Sequence, residues 1–136
     1  GQHFAAAAEG KTGYVTRADC ARAAAAALMQ ETGSSVLDIT GPAAVSQGDI
    51  AAILSEISGK DIPYIPISTD DLVQAMIGAG LPEFMAKVFA SFDEAMAKDY
   101  LSVATGDLKK LTGQAGQSVR DFLIANKAAL LTPPPQ

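Results

Sequence analysis

The sequence has 136 residues, which is the usual length of one domain and enough to bury a hydrophobic core. Hydrophobic residues make up 49% and charged residues 18%, a composition typical of a folded chain and too apolar for a disordered one. The formal net charge of −5 would repel nucleic acid and acidic membrane surfaces, and the basic residues form no cluster. We therefore expect neither nucleic acid nor a membrane as a partner.

The single cysteine, Cys20, excludes an internal disulfide and fits a cytoplasmic location. We find no signal-peptide pattern and no run of apolar residues long enough to span a membrane. The lone histidine, His3, lies in a terminus that we expect to fray, and the acidic residues are dispersed. We therefore expect no metal site. The start at Gly1, without a methionine, is typical of a processed or truncated chain.

The local patterns predict short strands early in the chain and helices after them. In chain order these are a strand at residues 11–16, a helix at 17–31, a strand at 36–40, a helix from Ser46 to Gly59, a strand at 63–67, a helix from Ser68 to about Gly80, a helix from Pro82 to about Tyr100, a short helix at 107–111 and a last helix at 118–131. Pro63 and Pro66 favour an edge strand or a minor sheet for residues 63–67. The fold class is therefore mixed α/β and mostly helical.

Capping residues support the helix boundaries. The first turn of a helix has unpaired backbone amides, which a hydroxyl and a carboxylate can stabilise. The first predicted helix has Thr16 and Asp19 in these positions, and the second has Ser46 and Asp49. Gly59 is well placed to end the second helix. The first helix is rich in alanine, which favours close approach to a neighbouring element.

The helix that begins at Pro82 carries a broad apolar stripe. Its members are Phe84, Met85, Val88, Phe89 and Phe92, with Met96 one turn further. Such spacing is most often a buried core face, which is the interpretation we favour. Alternatively, part of the stripe lines a cleft or faces a missing domain, and a homodimer would then cover it.

A dinucleotide-binding unit would need G-x-G-x-x-G between a strand and a helix, because those glycines let the backbone approach the pyrophosphate. The sequence contains no such motif. Glycines at 78 and 80, and at 113 and 116, lie between predicted helices with the wrong spacing. We interpret both pairs as caps and turns.

Taken in order, several segments resemble the C-terminal half of the NmrA-like atypical short-chain dehydrogenases, and most closely the type 2 NAD(P)H:quinone oxidoreductases. The matching segments are residues 6–11 with 14–25, residues 36–42 with 45–46 and 49–51, and residues 59–60, 62–64, 80–82, 111–113 and 118–123. Each motif is loose, but their order covers almost the whole chain. On this resemblance residues 1–131 form a substrate-side domain and residues 132–136 a flexible proline-rich tail.

The resemblance implies a protein about twice as long, whose other half is a Rossmann domain that binds NADPH or NADH. It implies that a small-molecule substrate, a quinone, is reduced by hydride transfer, and that this chain alone is inactive. Tyr14 and Arg17 are then candidates for cofactor binding, and Gly10, Lys11 and Phe89 for substrate binding. No catalytic residue is assigned, since the cofactor supplies most of this chemistry.

The same residues also have simpler, purely structural interpretations. Residues 9–17 can be an ordinary turn, strand and helix cap, in which Arg17 pairs with Asp19. Cys20 is expected to be a small packing residue. The acidic pairs at 70–71 and 93–94 are expected to be solvated charge. For the whole protein, the alternatives are a redox sensor that binds a dinucleotide without turnover, and a stand-alone helical interaction module.

Overall fold

The computed structural model describes residues 1–30 and 33–132 and confirms a mixed α/β fold that is mostly helical. The described elements are β1 (His3–Ala5), β2 (Lys11–Thr12), α1 (Arg17–Gln30), β3 (Val45–Ser46), α2 (Gln47–Ser58), β4 (Tyr64–Pro66), α3 (Thr69–Gly78), α4 (Glu83–Ala97), α5 (Asp107–Thr112), α6 (Val119–Ala125) and α7 (Lys127–Leu131). They divide into two compact units. Unit 1 comprises Gly1–Thr12 and Ser46–Ser102, and unit 2 comprises Gly13–Val45 and Val103–Gln136 as far as these are described.

Unit 1 is built on a parallel strand pair, β1 with β4, in which His3 faces Tyr64 and Ala5 faces Pro66. The expectation of a minor sheet for residues 63–67 is therefore confirmed. The expectation that His3 frays is wrong, because its backbone N–H donates to the Pro63 carbonyl at 3.0 Å and its Nε2 lies 2.8 Å from Gln47 Oε1.

The core of unit 1 lies between α3 and α4. It contains buried residues from both helices and from the segment after β1, namely Ala6, Leu72, Val73, Ala86 and Ala90. Because Ala86 and Ala90 have small side chains, the two helices approach closely, and the large side chains of α4 are left on its other faces.

The helix caps in this unit lie at the positions that the sequence predicts. Ser46 accepts a hydrogen bond from the Asp49 backbone N–H, and Asp49 accepts from the Ser46 backbone N–H, which forms the full capping box. Gly59 ends α2 in the left-handed region at φ 69°. Ser68 caps α3 through the Asp71 backbone N–H in the same way.

Unit 2 packs α1 against α5. Ala23 of α1 lies against Leu108 and Leu111 of α5, and Leu37 and Ile39 are packed on this cluster. Asp19 is buried beside it, where its carboxylate accepts from the Gln117 backbone N–H at 2.8 Å. This carboxylate joins α1 to the segment that precedes α6.

Two predicted strands are wrong in whole or in part. Residues 36–40 form no ladder among the described residues, and the strand at 11–16 shrinks to Lys11–Thr12. After Thr12 the Gly13 carbonyl accepts a hydrogen bond from the Gly41 N–H at 3.2 Å, and a Cβ on Gly13 would lie 2.2 Å from the Val103 carbonyl oxygen. Glycine is required there because only its backbone fits.

The predicted last helix is interrupted. It divides into α6 and α7 at Asn126, whose side-chain amide donates to the Phe122 carbonyl at 2.8 Å. A side chain that bonds to the preceding turn competes with the helical backbone pattern. The first helix is described as far as Gln30. The prediction for Glu31 and most of the predicted tail, residues 133–136, lie outside the described residues.

Candidate functional site

The turn of residues 8–11, which we name the 8–11 loop, is held at several points within unit 1. Ala8 adopts φ 47°, and the Gly10 N–H donates to the Ala7 carbonyl at 2.9 Å. The Tyr64 hydroxyl donates to the Ala8 carbonyl at 2.9 Å. Gly10 is buried, and a Cβ added to it would lie 1.8 Å from the Met96 carbonyl oxygen. These hydrogen bonds and the close backbone approach at Gly10 hold the 8–11 loop against the last turn of α4.

Tyr64 acts in this site as a hydrogen-bond donor. Burial raises the pKa of its phenol, and the nearby negative charges of Asp93 and Glu9 raise it further. The phenol therefore stays protonated at neutral pH, and this explains its bond to the Ala8 carbonyl. Sequence reasoning missed this contact because 56 residues separate the two groups.

Asp93 has a structural contact that the sequence did not indicate. Its carboxylate accepts from the Ala6 backbone N–H at 2.7 Å, and its side chain is half-buried. The expectation that Asp93 is solvated charge is therefore wrong, whereas its neighbour Glu94 is exposed and pairs with Lys98. The carboxylates of the adjacent residues Asp93 and Glu94 thus have different environments.

Lys11 presents the cationic group of the 8–11 loop. It is exposed. Hydrogen bonds from the backbone and the hydroxyl of Ser46 are the main causes that lower the pKa of Asp49, burial acts in the opposite direction, and the charge of Lys11 makes the smallest contribution to the lowering. Lys11 is thus an exposed cation of unit 1.

The apolar stripe of α4 is exposed, so the interpretation as a buried core face is wrong. We name it the α4 apolar face; its exposed fractions are Phe84 74%, Met85 38%, Val88 36%, Phe89 43% and Phe92 55%. Met96 is the exception and is buried. The residues that face the core are Ala86 and Ala90, on the opposite side of the helix.

The substrate candidates lie along this one helix. Gly10 and Lys11 lie at the last turn of α4, next to Met96 and Ala97. Phe89 precedes Met96 by seven residues, which is about 10 Å along a helix axis. Phe89 therefore lies about two helical turns before the part of α4 that Gly10 and Lys11 approach, and it is not part of the 8–11 loop.

The cofactor candidates, Tyr14 and Arg17, belong to unit 2. Tyr14 is half-buried, and its carbonyl oxygen would lie 1.9 Å from a Cβ on Gly41. Arg17 is exposed as the first residue of α1. The expected pair of Arg17 with Asp19 does not form, because Asp19 pairs with Arg22 at 2.6 Å. Within the described residues the Arg17 guanidinium has no ion-pair partner.

Cys20 is exposed, so the expectation that it packs in a core is wrong. It lines a cavity of about 610 Å³ in unit 2, between α1 and the segment of residues 33–39. The described residues contain no group of His, Cys, Asp or Glu side chains that could hold a metal ion. In the same part of the chain, no helix combines the length and the apolar character needed to cross a membrane.

Comparison with known proteins shows that curated oxidoreductases match most of this chain. The chain is 30% identical over 130 residues to an NAD(P)H azoreductase from Xenophilus azovorans, covering 95% of this chain and 46% of that protein. It is 36% identical over 115 residues to quinone oxidoreductase 2 from Escherichia coli, covering 83% of this chain and 40% of that protein. No protein-family model matches the sequence.

A solved structure of a quinone oxidoreductase has a similar fold over nearly the whole of this chain. The NADPH-dependent quinone oxidoreductase from Escherichia coli, in complex with NADPH, superposes with a TM-score of 0.83 at 31% identity. The match covers 96% of this chain and 45% of that one. The chain matches the C-terminal part of NAD(P)-binding quinone oxidoreductases. The resemblance found in the sequence is therefore confirmed, and the chain spans about half the length of these relatives.

Proposed function

We propose that residues 1–131 are the substrate-side part of an NAD(P)H-dependent oxidoreductase that reduces a quinone by hydride transfer. The observation that carries this proposal is the match to about 45% of a quinone oxidoreductase solved with NADPH. The cofactor would be NADPH or NADH, bound mainly by a part of the protein that this chain does not span. That division of labour agrees with the lack of a glycine-rich dinucleotide motif in this sequence.

The cofactor supplies the hydride, so this part has to orient the acceptor and exclude water. We propose that Gly10, Lys11 and Phe89 bind the substrate. The 8–11 loop is held rigidly, and a rigid backbone favours precise positioning of a ligand. Lys11 offers an ammonium group to a quinone oxygen that gains negative charge as it is reduced.

Tyr14 and Arg17 are the proposed cofactor contacts. The exposed Arg17 guanidinium has no ion-pair partner among the described residues, which suits a phosphate group of the dinucleotide. Tyr14 is a half-buried ring three residues earlier and could flank a flat nicotinamide or quinone.

The α4 apolar face supports a homodimer of the isolated chain. Its exposed phenylalanines would be covered by a second copy when no other part of the protein covers them. We propose that the chain alone is inactive and that dimerisation is its response to this exposed surface.

NADPH oxidation with a quinone tests the proposed activity. We expect the chain of residues 1–136 to consume no NADPH, and the longest polypeptide that its gene encodes to consume NADPH only when quinone is present. NADPH that binds to that polypeptide without being oxidised would reject the enzyme and favour a redox sensor. Turnover by residues 1–136 alone would reject the proposed division of labour.

Two variants of the longer polypeptide locate the two sites in the same assay. Arg17→Gln should raise KM for NADPH about tenfold, the effect of losing about 1.4 kcal/mol, with little change in KM for quinone. Phe89→Ala should raise KM for quinone and leave KM for NADPH unchanged. Lys60→Gln, which removes an exposed cation in unit 1, is the control for Arg17→Gln. Phe84→Ala, which removes another exposed phenylalanine of the α4 apolar face, is the control for Phe89→Ala. Equal effects in a variant and its control would reject that assignment.

A further inference from the structure

Two ring side chains lie next to each other on the parallel strand pair of unit 1. His3 of β1 and Tyr64 of β4 are register partners, and their ring centroids are 6.1 Å apart at an interplanar angle of 45°. The Tyr64 hydroxyl donates to the Ala8 carbonyl at 2.9 Å, and the His3 Nε2 lies 2.8 Å from Gln47 Oε1. Each ring therefore makes a hydrogen bond to a different part of unit 1.

Gln47 connects His3 to the last turn of α4. Its Nε2 donates to the Met96 sulfur at 3.6 Å, and both residues are buried. A thioether sulfur only accepts hydrogen bonds, so the NH2 group of the amide belongs on the Met96 side and its oxygen on the His3 side. Because the amide oxygen also only accepts, the His3 Nε2 carries a proton and donates it to Gln47.

The turn of α4 that contains Met96 is also the turn on which the 8–11 loop rests. A Cβ added to Gly10 would lie 1.8 Å from the Met96 carbonyl oxygen and 2.3 Å from its carbonyl carbon. Tyr64 holds the same loop at Ala8. Lys11 follows Gly10 directly, so the placement of its backbone depends on both contacts.

We propose that His3, Gln47 and Tyr64 are positioning residues that hold the 8–11 loop in the conformation that binds the substrate. This inference rests on the proposed function, in which Gly10 and Lys11 contact the quinone. The three residues act through the loop backbone and the last turn of α4, without touching the substrate themselves. A hydrogen-bonded network that is shielded from water stiffens the groups it joins, and a binding loop needs such support to keep its geometry.

A general contribution to the stability of unit 1 is the alternative role for these contacts. In that case, removing one of them would speed amide exchange throughout the unit. Positioning predicts a local effect at the Gly10 N–H, which donates to the Ala7 carbonyl at 2.9 Å. The Leu72 N–H, which donates to the Ser68 carbonyl at 3.0 Å in the core of the same unit, is the reference amide.

Amide hydrogen exchange tests the inference without cofactor or substrate, in the longest polypeptide that the gene encodes. Tyr64→Phe removes only the hydroxyl that bonds to Ala8, and Gly10 should then exchange about fivefold faster, the effect of losing one hydrogen bond, while Leu72 is unchanged. Tyr100→Phe removes the hydroxyl of an exposed tyrosine in unit 1 and should change neither amide. Unchanged exchange at Gly10, or equal acceleration at Leu72, would overturn the inference.

Two variants of His3 separate its hydrogen bond from its ring. His3→Phe keeps a ring against Tyr64 but has no donor, whereas His3→Gln has a side-chain amide that can donate to Gln47. Gly10 should exchange about fivefold faster in H3F and at nearly the parent rate in H3Q. The same rate in both variants would remove His3 from the positioning residues.

Steady-state kinetics of the same polypeptide connect the loop to the substrate. Tyr64→Phe and His3→Phe should each raise KM for quinone about fivefold and leave KM for NADPH unchanged, and His3→Gln should restore the parent KM for quinone. Faster exchange at Gly10 with an unchanged KM for quinone would contradict a positioning role. A parent polypeptide that oxidises no NADPH would reject the proposed function, and exchange at Gly10 would then decide by itself whether these residues hold the loop.

Discussion

At the scale of single residues, the sequence indicated local partners well and distant ones poorly. Ser46 with Asp49 was predictable because the two groups lie three residues apart and serve one helix turn. Gly10 was selected as a substrate contact, yet its close approach to Met96 depends on a helix 86 residues away. Such a contact leaves no local pattern in the sequence.

Asp19 carries the clearest pH dependence of unit 2. Burial acts to raise the pKa of its carboxyl, but hydrogen bonds from Gln117 and Thr16 and the charge and hydrogen bond of Arg22 hold it below its ordinary value of 3.8. A carboxyl with a lowered pKa in the folded state stabilises the fold above its unfolded pKa. That contribution is lost as the pH falls through the folded pKa.

Asp19→Asn should therefore lower the free energy of unfolding at neutral pH by about 1–3 kcal/mol, the usual effect of removing a buried charged hydrogen-bond acceptor. The difference from the parent should shrink at acid pH, as the pH falls below 3.8 and through the lowered folded pKa of Asp19, because the parent carboxyl then becomes protonated too. Urea unfolding at both pH values measures it, with the exposed Asp61→Asn as the control. A difference that stays constant with pH would contradict this role of Asp19.

At the scale of elements, helices were predictable and strands were predictable only in part. Most helix bounds agree within a few residues because caps such as Ser68 and Gly113 act on adjacent turns. Residues 36–40 were predicted as a strand and have no ladder, since a ladder needs a partner that local sequence does not specify. The apolar stripe of α4 shows the same limit: its spacing predicts a face but not what covers it.

The α4 apolar face gives a prediction at this scale. The isolated chain should be in a concentration-dependent equilibrium between monomer and dimer, which Phe92→Asp should shift to the monomer because it buries a charge in the interface. Ser91→Asp adds the same charge on the neighbouring exposed position and should change the equilibrium little. Sedimentation equilibrium measures both. A monomeric parent chain, or equal effects of the two variants, would contradict the proposed dimer.

At the scale of the whole molecule, the candidate sites fall in different units. Gly10, Lys11 and Phe89 belong to unit 1, and Tyr14 and Arg17 to unit 2. The resemblance indicated these residues, but composition and periodicity alone gave only a mixed α/β chain without a dinucleotide motif. Binding residues of this kind could not be derived locally, because in the proposed function they act together with a part of the protein that this chain does not span.

The mass of the native protein tests the central claim most directly. The chain has a mass of 13.9 kDa and spans 46% and 40% of two curated relatives. We predict that intact-mass measurement of the protein isolated from its source gives roughly twice 13.9 kDa. A mass near 13.9 kDa would contradict the account, because the chain would then act without a dinucleotide-binding half.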